Sequence, residues 1–170
     1  MSTINEWGKL KKIVVGIADY AKIPEIDISL RTVNYADKEN TDDILVGDYP
    51  DIVKQEANED LATLTKFLEG EGVEVVKPEV IDCGYYHYCP RDIALVYGDR
   101  SLAVPTPIKA RKDDYRALKT HLRHLSVADR KYRDYFYNKK CIQNKEVLAL
   151  SENVPLFDAA NVLKANGHLL

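Results

Sequence analysis

The sequence lacks most of the features that mark secreted, membrane-spanning or metal-binding proteins. Its 170 residues contain three cysteines, an odd number without CxxC spacing, so free thiols are expected and a zinc site is not indicated. No apolar run approaches the length of a bilayer-spanning helix, and the N-terminus has no apolar signal-peptide region. We therefore expect a cytoplasmic protein that makes no membrane contact and binds no metal.

Nucleotide-binding motifs are missing as well, and the one basic segment gives a weak signal. Neither GxGxxG nor a P-loop follows the first predicted strand, so no cofactor is expected. Residues 109–145 interleave Lys and Arg with Tyr, a composition that can bind nucleic acid. Because Asp113, Asp114, Asp129 and Asp134 interrupt the bases, we favour a solvated helix face over nucleic-acid binding.

The first part of the chain predicts a strand–helix–strand unit within a single domain over residues 1–170. A strand is expected in Lys9–Ile17 and another in Val73–Val76. Between them, Asp51–Gly70 has apolar residues at spacings of three and four, which is typical of an amphipathic helix. The intervening stretch from Ala18 to Pro50 is predicted to be irregular.

A second unit follows, and a third begins near Phe157, so repeat boundaries are expected near residues 80 and 150. Two short apolar runs flank Gly98-Asp99, a pattern that predicts a hairpin of Ile93–Tyr97 and Leu102–Val104. The apolar spacing in Ala110–Leu125 predicts a helix.

Two acids in similar local settings are the candidate functional residues. Asp92 follows Cys89-Pro90-Arg91 at the mouth of the first hairpin strand, and Asp158 follows a Pro-containing apolar stretch. Asp158 is also a candidate N-cap for a helix over Ala159–Ala165. We expect the Arg91 side chain to point away from Asp92 and to form a structural ion pair. Two carboxylates presented in this way suit a planar guanidinium, which donates parallel N–H bonds.

Several short motifs in a fixed order carry a resemblance to a known family. They are NEWGKL at 5–10, IVVG at 13–16, EGV at 71–73, CPRD at 89–92 and FDAAN at 157–161. With them the chain resembles the amidinotransferase branch of the guanidino-group-modifying enzymes, the group of glycine and inosamine-phosphate amidinotransferases.

The resemblance implies an α/β fold of the pentein type, a propeller of ββαβ repeats around a central site. Family chains are about twice as long, so this chain would be an N-terminal half with about two and a half of the five units.

The family activity moves an amidino group from arginine to an amine through an amidino-cysteine intermediate. A cysteine thiolate attacks the guanidinium carbon, and a histidine with an acid partner shuttles protons. The resemblance implies that Asp92 binds the substrate guanidinium and that Asp158 is catalytic, as the partner of the histidine. The second acid that family members have after Ala-Ala is Asn161 here.

The family's catalytic histidine and late cysteine have no counterpart in this sequence. The four histidines fall elsewhere, and Cys89 is interpreted as a buried thiol. The chain alone is therefore expected to be inactive, to bind an arginine-like guanidino compound, and to form a homo-oligomer through the apolar segment Val162–Leu170. Two alternatives stay open: a non-catalytic half-pentein that binds a guanidino compound or a protein partner, and an arginine deiminase-like hydrolase.

Overall fold

The computed structural model describes residues 3–82, 85–127 and 156–170, with backbone alone for 139–142 and 145–148. In this part of the chain the fold is mixed α/β, with short strands, two α-helices and several 3₁₀ turns. The α-helices are α1 (Ile28–Asn34) and α2 (Asp51–Gly70). The strands are β1 (Lys12–Val14), β2 (Lys22–Ile23), β3 (Gly47–Asp48), β4 (Glu74–Val76), β5 (Ala94–Tyr97), β6 (Arg100–Ala103), β7 (Leu125–Val127), β8 (Lys139–Ile142), β9 (Lys145–Leu148), β10 (Lys164–Ala165) and β11 (His168–Leu169).

The predicted strand–helix–strand unit is confirmed. Strand β1 pairs in parallel with β4, with Ile13 opposite Val75, and α2 forms the connection between them. Helix α2 has the bounds that its apolar spacing predicts, while both strands are shorter than their apolar runs. The helix ends at Gly70, and the turn to β4 uses Gly72 at a φ of 78°, a conformation that glycine adopts without steric cost.

Helix α2 buries none of its residues. Ile52 and Phe67 are 60% and 64% exposed, although the helix packs against β4. The amphipathic pattern therefore predicts the helix correctly, but the described residues leave much of its apolar surface uncovered.

The stretch from Ala18 to Pro50 is more regular than predicted. Strands β2 and β3 form a small antiparallel pair, and α1 lies between them in sequence. The Asp27 carboxylate caps α1 by accepting from the Leu30 N–H at 2.9 Å, and the Leu30 side chain is 1% exposed. A helix of two turns has too few residues for its apolar spacing to stand out, which explains the wrong prediction.

The predicted hairpin is confirmed as β5 and β6, with Leu95 opposite Leu102. Gly98 has a φ of 58° and Asp99 does not adopt positive φ, which is the pattern of a type II′ turn. Strand β7 then adds to β6 in parallel.

The prediction of a helix over Ala110–Leu125 is wrong. The segment contains 3₁₀ turns at Lys109–Arg111 and Asp114–Leu118 and ends in β7. Its apolar residues are still buried, because Leu118 and Leu122 pack with Ile93 at the start of the hairpin. The apolar spacing thus predicted correctly that these leucines are buried, but tertiary contacts determined the backbone conformation.

The prediction of a helix over Ala159–Ala165 is also wrong. A 3₁₀ turn at Ala159–Asn161 is followed by the antiparallel pair β10 and β11. Asn166 and Gly167 have φ values of 47° and 86°, as a type I′ turn requires. The Asn-Gly dipeptide is a strong hairpin signal that the sequence interpretation overlooked.

The 157–159 segment is held against the hairpin from one side. Leu95, Val104 and Ala159 form a buried cluster with Phe157, while Ala94 and Val96 face the other cluster around Leu118. The alternation of a strand therefore places β5 between two cores and fixes Asp158, which lies between Phe157 and Ala159.

Among the described residues, no helix combines the length and the apolar character needed to cross a bilayer. The boundary expected near residue 150 lies outside the described residues, and the number of propeller units stays a prediction.

Candidate functional site

A buried arginine, Arg111, forms the centre of the site. Its side chain is 5% exposed, and three of its nitrogens donate to three different groups. Nη1 donates to Asp92 Oδ2 at 2.6 Å, Nη2 to the Cys89 carbonyl at 2.9 Å, and Nε to Asp114 Oδ2 at 3.3 Å. The guanidinium carbon also lies 5.1 Å from the centre of the Tyr86 ring, within the range of a cation–π contact.

Asp92 lies in the 3₁₀ turn Pro90–Ile93 that leads into β5, rather than on the strand itself. Its side chain is 28% exposed, so the carboxylate is reached both by Arg111 and by solvent. Arg91, the other nearby arginine, is exposed, and the described residues contain no ion pair of its guanidinium. Among the described residues, Asp92 thus pairs with Arg111, and the ion pair expected for Arg91 is not found.

Asp114 accepts a hydrogen bond from a different nitrogen of Arg111, Nε, and is 1% exposed. Burial raises its pKa to about 6, although the charge and the hydrogen bond of Arg111 act in the opposite direction. Its Oδ1 atom is buried without a hydrogen-bond partner among the described residues. A carboxylate in this position holds the guanidinium in place, but at a cost in desolvation.

Asp158 precedes the 3₁₀ turn Ala159–Asn161, and its side chain makes no capping bond. Its Oδ1 instead accepts from the Thr106 hydroxyl at 3.1 Å. Burial raises the pKa of Asp158, the Thr106 hydroxyl and the Arg111 charge lower it, and the charge of Asp92 raises it further.

Asp92 and Asp158 lie in one region of the molecule despite their separation in sequence. The 3₁₀ turn that contains Asp92 packs against the 3₁₀ turn that follows Asp158, and the charge of Asp92 raises the pKa of Asp158. Two clefts beside α2, of about 520 and 200 Å³, include neither acid. Asp92 and Asp114 thus bond the Arg111 guanidinium directly, and Asp158 lies near enough for the Arg111 charge to lower its pKa.

The described thiol and histidines have other surroundings. Cys89 is half-buried rather than buried, and loss of solvation raises its pKa to about 11, so the thiol is protonated at neutral pH. His87 is buried, and burial lowers its pKa, while the His121 ring bonds the Lys77 carbonyl at 2.8 Å. The side chains of Cys83 and Cys141 lie outside the described residues.

The sequence interpretation missed Arg111, Asp114 and Thr106. Arg111 and Asp114 were included in the basic segment that was assigned to a solvated face. One signal in the sequence could have identified them. Arg111 and Asp114 are opposite charges three residues apart, just before the buried Leu118 and Leu122, which is compatible with a buried ion pair.

Sequence comparison finds relatives that match the whole chain but are about twice its length. The chain is 33% identical to an inosamine-phosphate amidinotransferase from Streptomyces glaucescens, across 100% of this chain and 54% of the relative. It is 28% identical to the mitochondrial glycine amidinotransferase of Xenopus laevis, across 95% of this chain and 46% of the relative. The chain therefore spans about half the length of the curated relatives it matches. No family model matches.

Solved structures agree with these relatives. The inosamine-phosphate amidinotransferase of Streptomyces griseus superposes with a TM-score of 0.80 at 31% identity, over 99% of this chain and 53% of that protein. An amidinotransferase from Microseira wollei, of the saxitoxin biosynthetic pathway, has a TM-score of 0.74 over 96% of this chain and shares its fold at 23% identity. In sequence and in fold, this chain is amidinotransferase-like along essentially its whole length.

Proposed function

We propose that this chain carries the guanidinium-binding part of an amidinotransferase site. Asp92 binds the guanidinium of an arginine-like substrate. Asp158 is the acid that pairs with the catalytic histidine, which lies outside this sequence in the active enzyme. The names of the relatives support amidino transfer as the activity of the whole protein. Arginine as the donor and an amine as the acceptor follow from the family resemblance.

One observation carries the proposal: among the described residues, Asp92 and Asp114 accept hydrogen bonds from the Arg111 guanidinium. Asp158 lies near enough for the charges of Arg111 and Asp92 to shift its pKa. With all three ionised, the described residues of the cluster carry an excess of negative charge, which a cationic ligand would balance. Asp92 and Asp158 are both partly buried. A guanidinium that binds them loses part of its hydration, and the charges of the two carboxylates compensate for most of that loss.

Titration of the chain with arginine, followed by amide NMR, tests the role of Asp92. We expect weak binding, at about the millimolar level. Asp92→Asn removes the charge at constant shape and should weaken it about tenfold or more, as for a hydrogen bond to a charged group. Asp99→Asn, which makes the same change in the exposed hairpin turn, is the matched control and should have no effect. Equal affinities in Asp92→Asn and wild type would overturn the assignment.

We also propose that the chain alone transfers no amidino group. The Cys89 thiol is protonated at neutral pH and therefore cannot act as the attacking thiolate. Incubation with arginine and glycine distinguishes the possible reactions, because transfer releases ornithine whereas hydrolysis, the deiminase alternative, releases citrulline and ammonia. We expect neither product, and ornithine above background would contradict this.

Homo-oligomer formation is a further part of the proposal. Leu163, Leu169 and Leu170 are exposed around β10 and β11, and exposed apolar side chains favour association. Light scattering at high micromolar concentration should give a mass above that of a monomer, and a single monomeric mass would contradict it. The cytoplasmic location stays a prediction.

A further inference from the structure

The hydrogen bonds of Arg111 fix its guanidinium in both position and orientation. Nη1, Nη2 and Nε each have a separate acceptor, namely Asp92, the Cys89 carbonyl and Asp114. Three separate acceptors restrict rotation of the group, and the centre of the Tyr86 ring lies 5.1 Å from the guanidinium carbon. At 5% exposure the side chain has almost no contact with solvent, so it is poorly placed to contact a ligand itself.

The same contacts leave Asp92 with one occupied and one available oxygen. Oδ2 accepts from Arg111 at 2.6 Å, whereas Oδ1 has no hydrogen-bond partner among the described residues and is not buried. A carboxylate held through one oxygen cannot rotate freely, so the direction of its second oxygen is fixed as well.

We propose that Arg111 is a positioning residue that aims Asp92 Oδ1 at the guanidinium of the ligand. The inference rests on the proposed function of Asp92 and deepens it, because it states how Asp92 is presented. It also replaces the expected two-oxygen contact: with Oδ2 bound to Arg111, Asp92 receives the ligand through Oδ1.

Asp114 and the Cys89 carbonyl make this arrangement possible. They accept hydrogen bonds from Nε and Nη2 of Arg111, so two of the three bonds that hold Arg111 do not involve Asp92. Lysine would keep the charge but not the planar set of donors, and it would satisfy fewer of the three acceptors. Loss of the planar group should therefore free the Asp92 carboxylate while leaving its charge in place.

Two small probes separate an oriented carboxylate from a simple negative charge. Ethylguanidinium and ethylammonium carry the same charge and no carboxylate, so neither can contact Arg111 through an acid group. An oriented oxygen favours the planar guanidinium, whereas a freely rotating carboxylate attracts both cations as point charges. Titrations of each probe, followed by amide NMR on the 170-residue chain, give the two affinities and their ratio.

Arg111→Lys should weaken ethylguanidinium binding about tenfold and leave ethylammonium binding within about twofold, so that the selectivity falls. Arg100→Lys, the same substitution at an exposed position of β6, is the control and should change neither affinity. Asp114→Asn keeps the shape of the side chain but weakens its hydrogen bond to Arg111 Nε. This variant should also lower the selectivity for ethylguanidinium over ethylammonium.

Each other outcome overturns the inference. An equal loss of affinity for both probes would show that Arg111 supports the fold and does not orient Asp92. The same conclusion would follow if neither Arg111→Lys nor Asp114→Asn gave a dispersed NMR spectrum. An unchanged affinity for ethylguanidinium in Arg111→Lys would overturn it directly. If Asp92→Asn has no effect on either probe, the proposed function fails first, and the two failures are thereby distinguished.

Discussion

Helix α2 and the Arg111 cluster are opposite in how they are built. Helix α2 is 20 residues long, regular and predictable from its spacing, yet none of its residues is buried. The Arg111 cluster is assembled from 3₁₀ turns and loops that local patterns do not predict, yet Arg111 and Asp114 are 5% and 1% exposed. In this chain, local regularity and burial are therefore separate properties, and the proposed site lies in the buried region.

The largest difference between the two regions should appear when a single cation is removed from each. Arg111→Met leaves Asp114 buried without its partner and should lower the free energy of unfolding by about 3–5 kcal/mol. Lys66→Met, at an exposed position of α2, should change it by less than about 0.5 kcal/mol. Urea unfolding of both variants measures the contrast, and equal costs would mean that the cluster is not a buried network.

The pH dependence of stability should be sensitive to Asp114. Because burial raises the pKa of Asp114 from 3.8 to about 6, the folded chain holds this proton more tightly than the unfolded chain does. The contribution of Asp114 is therefore greatest below pH 4 and is lost as the pH rises to about 6, by up to about 1.4 kcal/mol per pH unit.

Urea unfolding at several pH values between 4 and 6 checks this, with Asp114→Asn as the reference that cannot titrate. The wild type should lose stability relative to the variant as the pH rises through that window. A difference that stays constant with pH would mean that the carboxyl titrates at its ordinary pKa.

Thiol reactivity compares the same two regions in another way. With Cys83 and Cys141 replaced by serine, Cys89 should react with iodoacetamide at pH 8 about a hundredfold more slowly than an exposed thiol, because less of it is thiolate. Glu56→Cys on the exposed surface of α2, with Cys89 also replaced, supplies the exposed thiol. Similar rates for the two thiols would contradict the raised pKa of Cys89.

The smallest effect is expected on the apolar surface of α2. Phe67→Ser should change the free energy of unfolding by less than about 1 kcal/mol, because the ring is 64% exposed and little area is lost from the core. Leu118→Ala, at 2% exposure, is the comparison and should cost about 2–5 kcal/mol. A large cost for Phe67→Ser would mean that the face of α2 is covered in solution.

The sequence by itself determined the elements whose signals are local. Helix α2 follows from apolar residues at spacings of three and four, and the β5–β6 hairpin follows from two apolar runs around Gly98-Asp99. The ordered motifs were also sufficient to identify the resemblance that the relatives and the solved structures bear out. Asp92 and Asp158 were selected as candidates at that stage, and their roles stay predictions.

The tertiary structure decided which groups meet. Arg111 contacts Asp92 across 19 positions of the chain, and Thr106 contacts Asp158 across 52, separations at which no periodic pattern carries information. The segment 110–125 has helical spacing, but the buried ion pair and the edge of β6 stabilise 3₁₀ turns and a strand instead. A local pattern indicates which side chains are buried, but long-range packing decides which groups they contact. The pKa values of the acids in the cluster depend on those contacts.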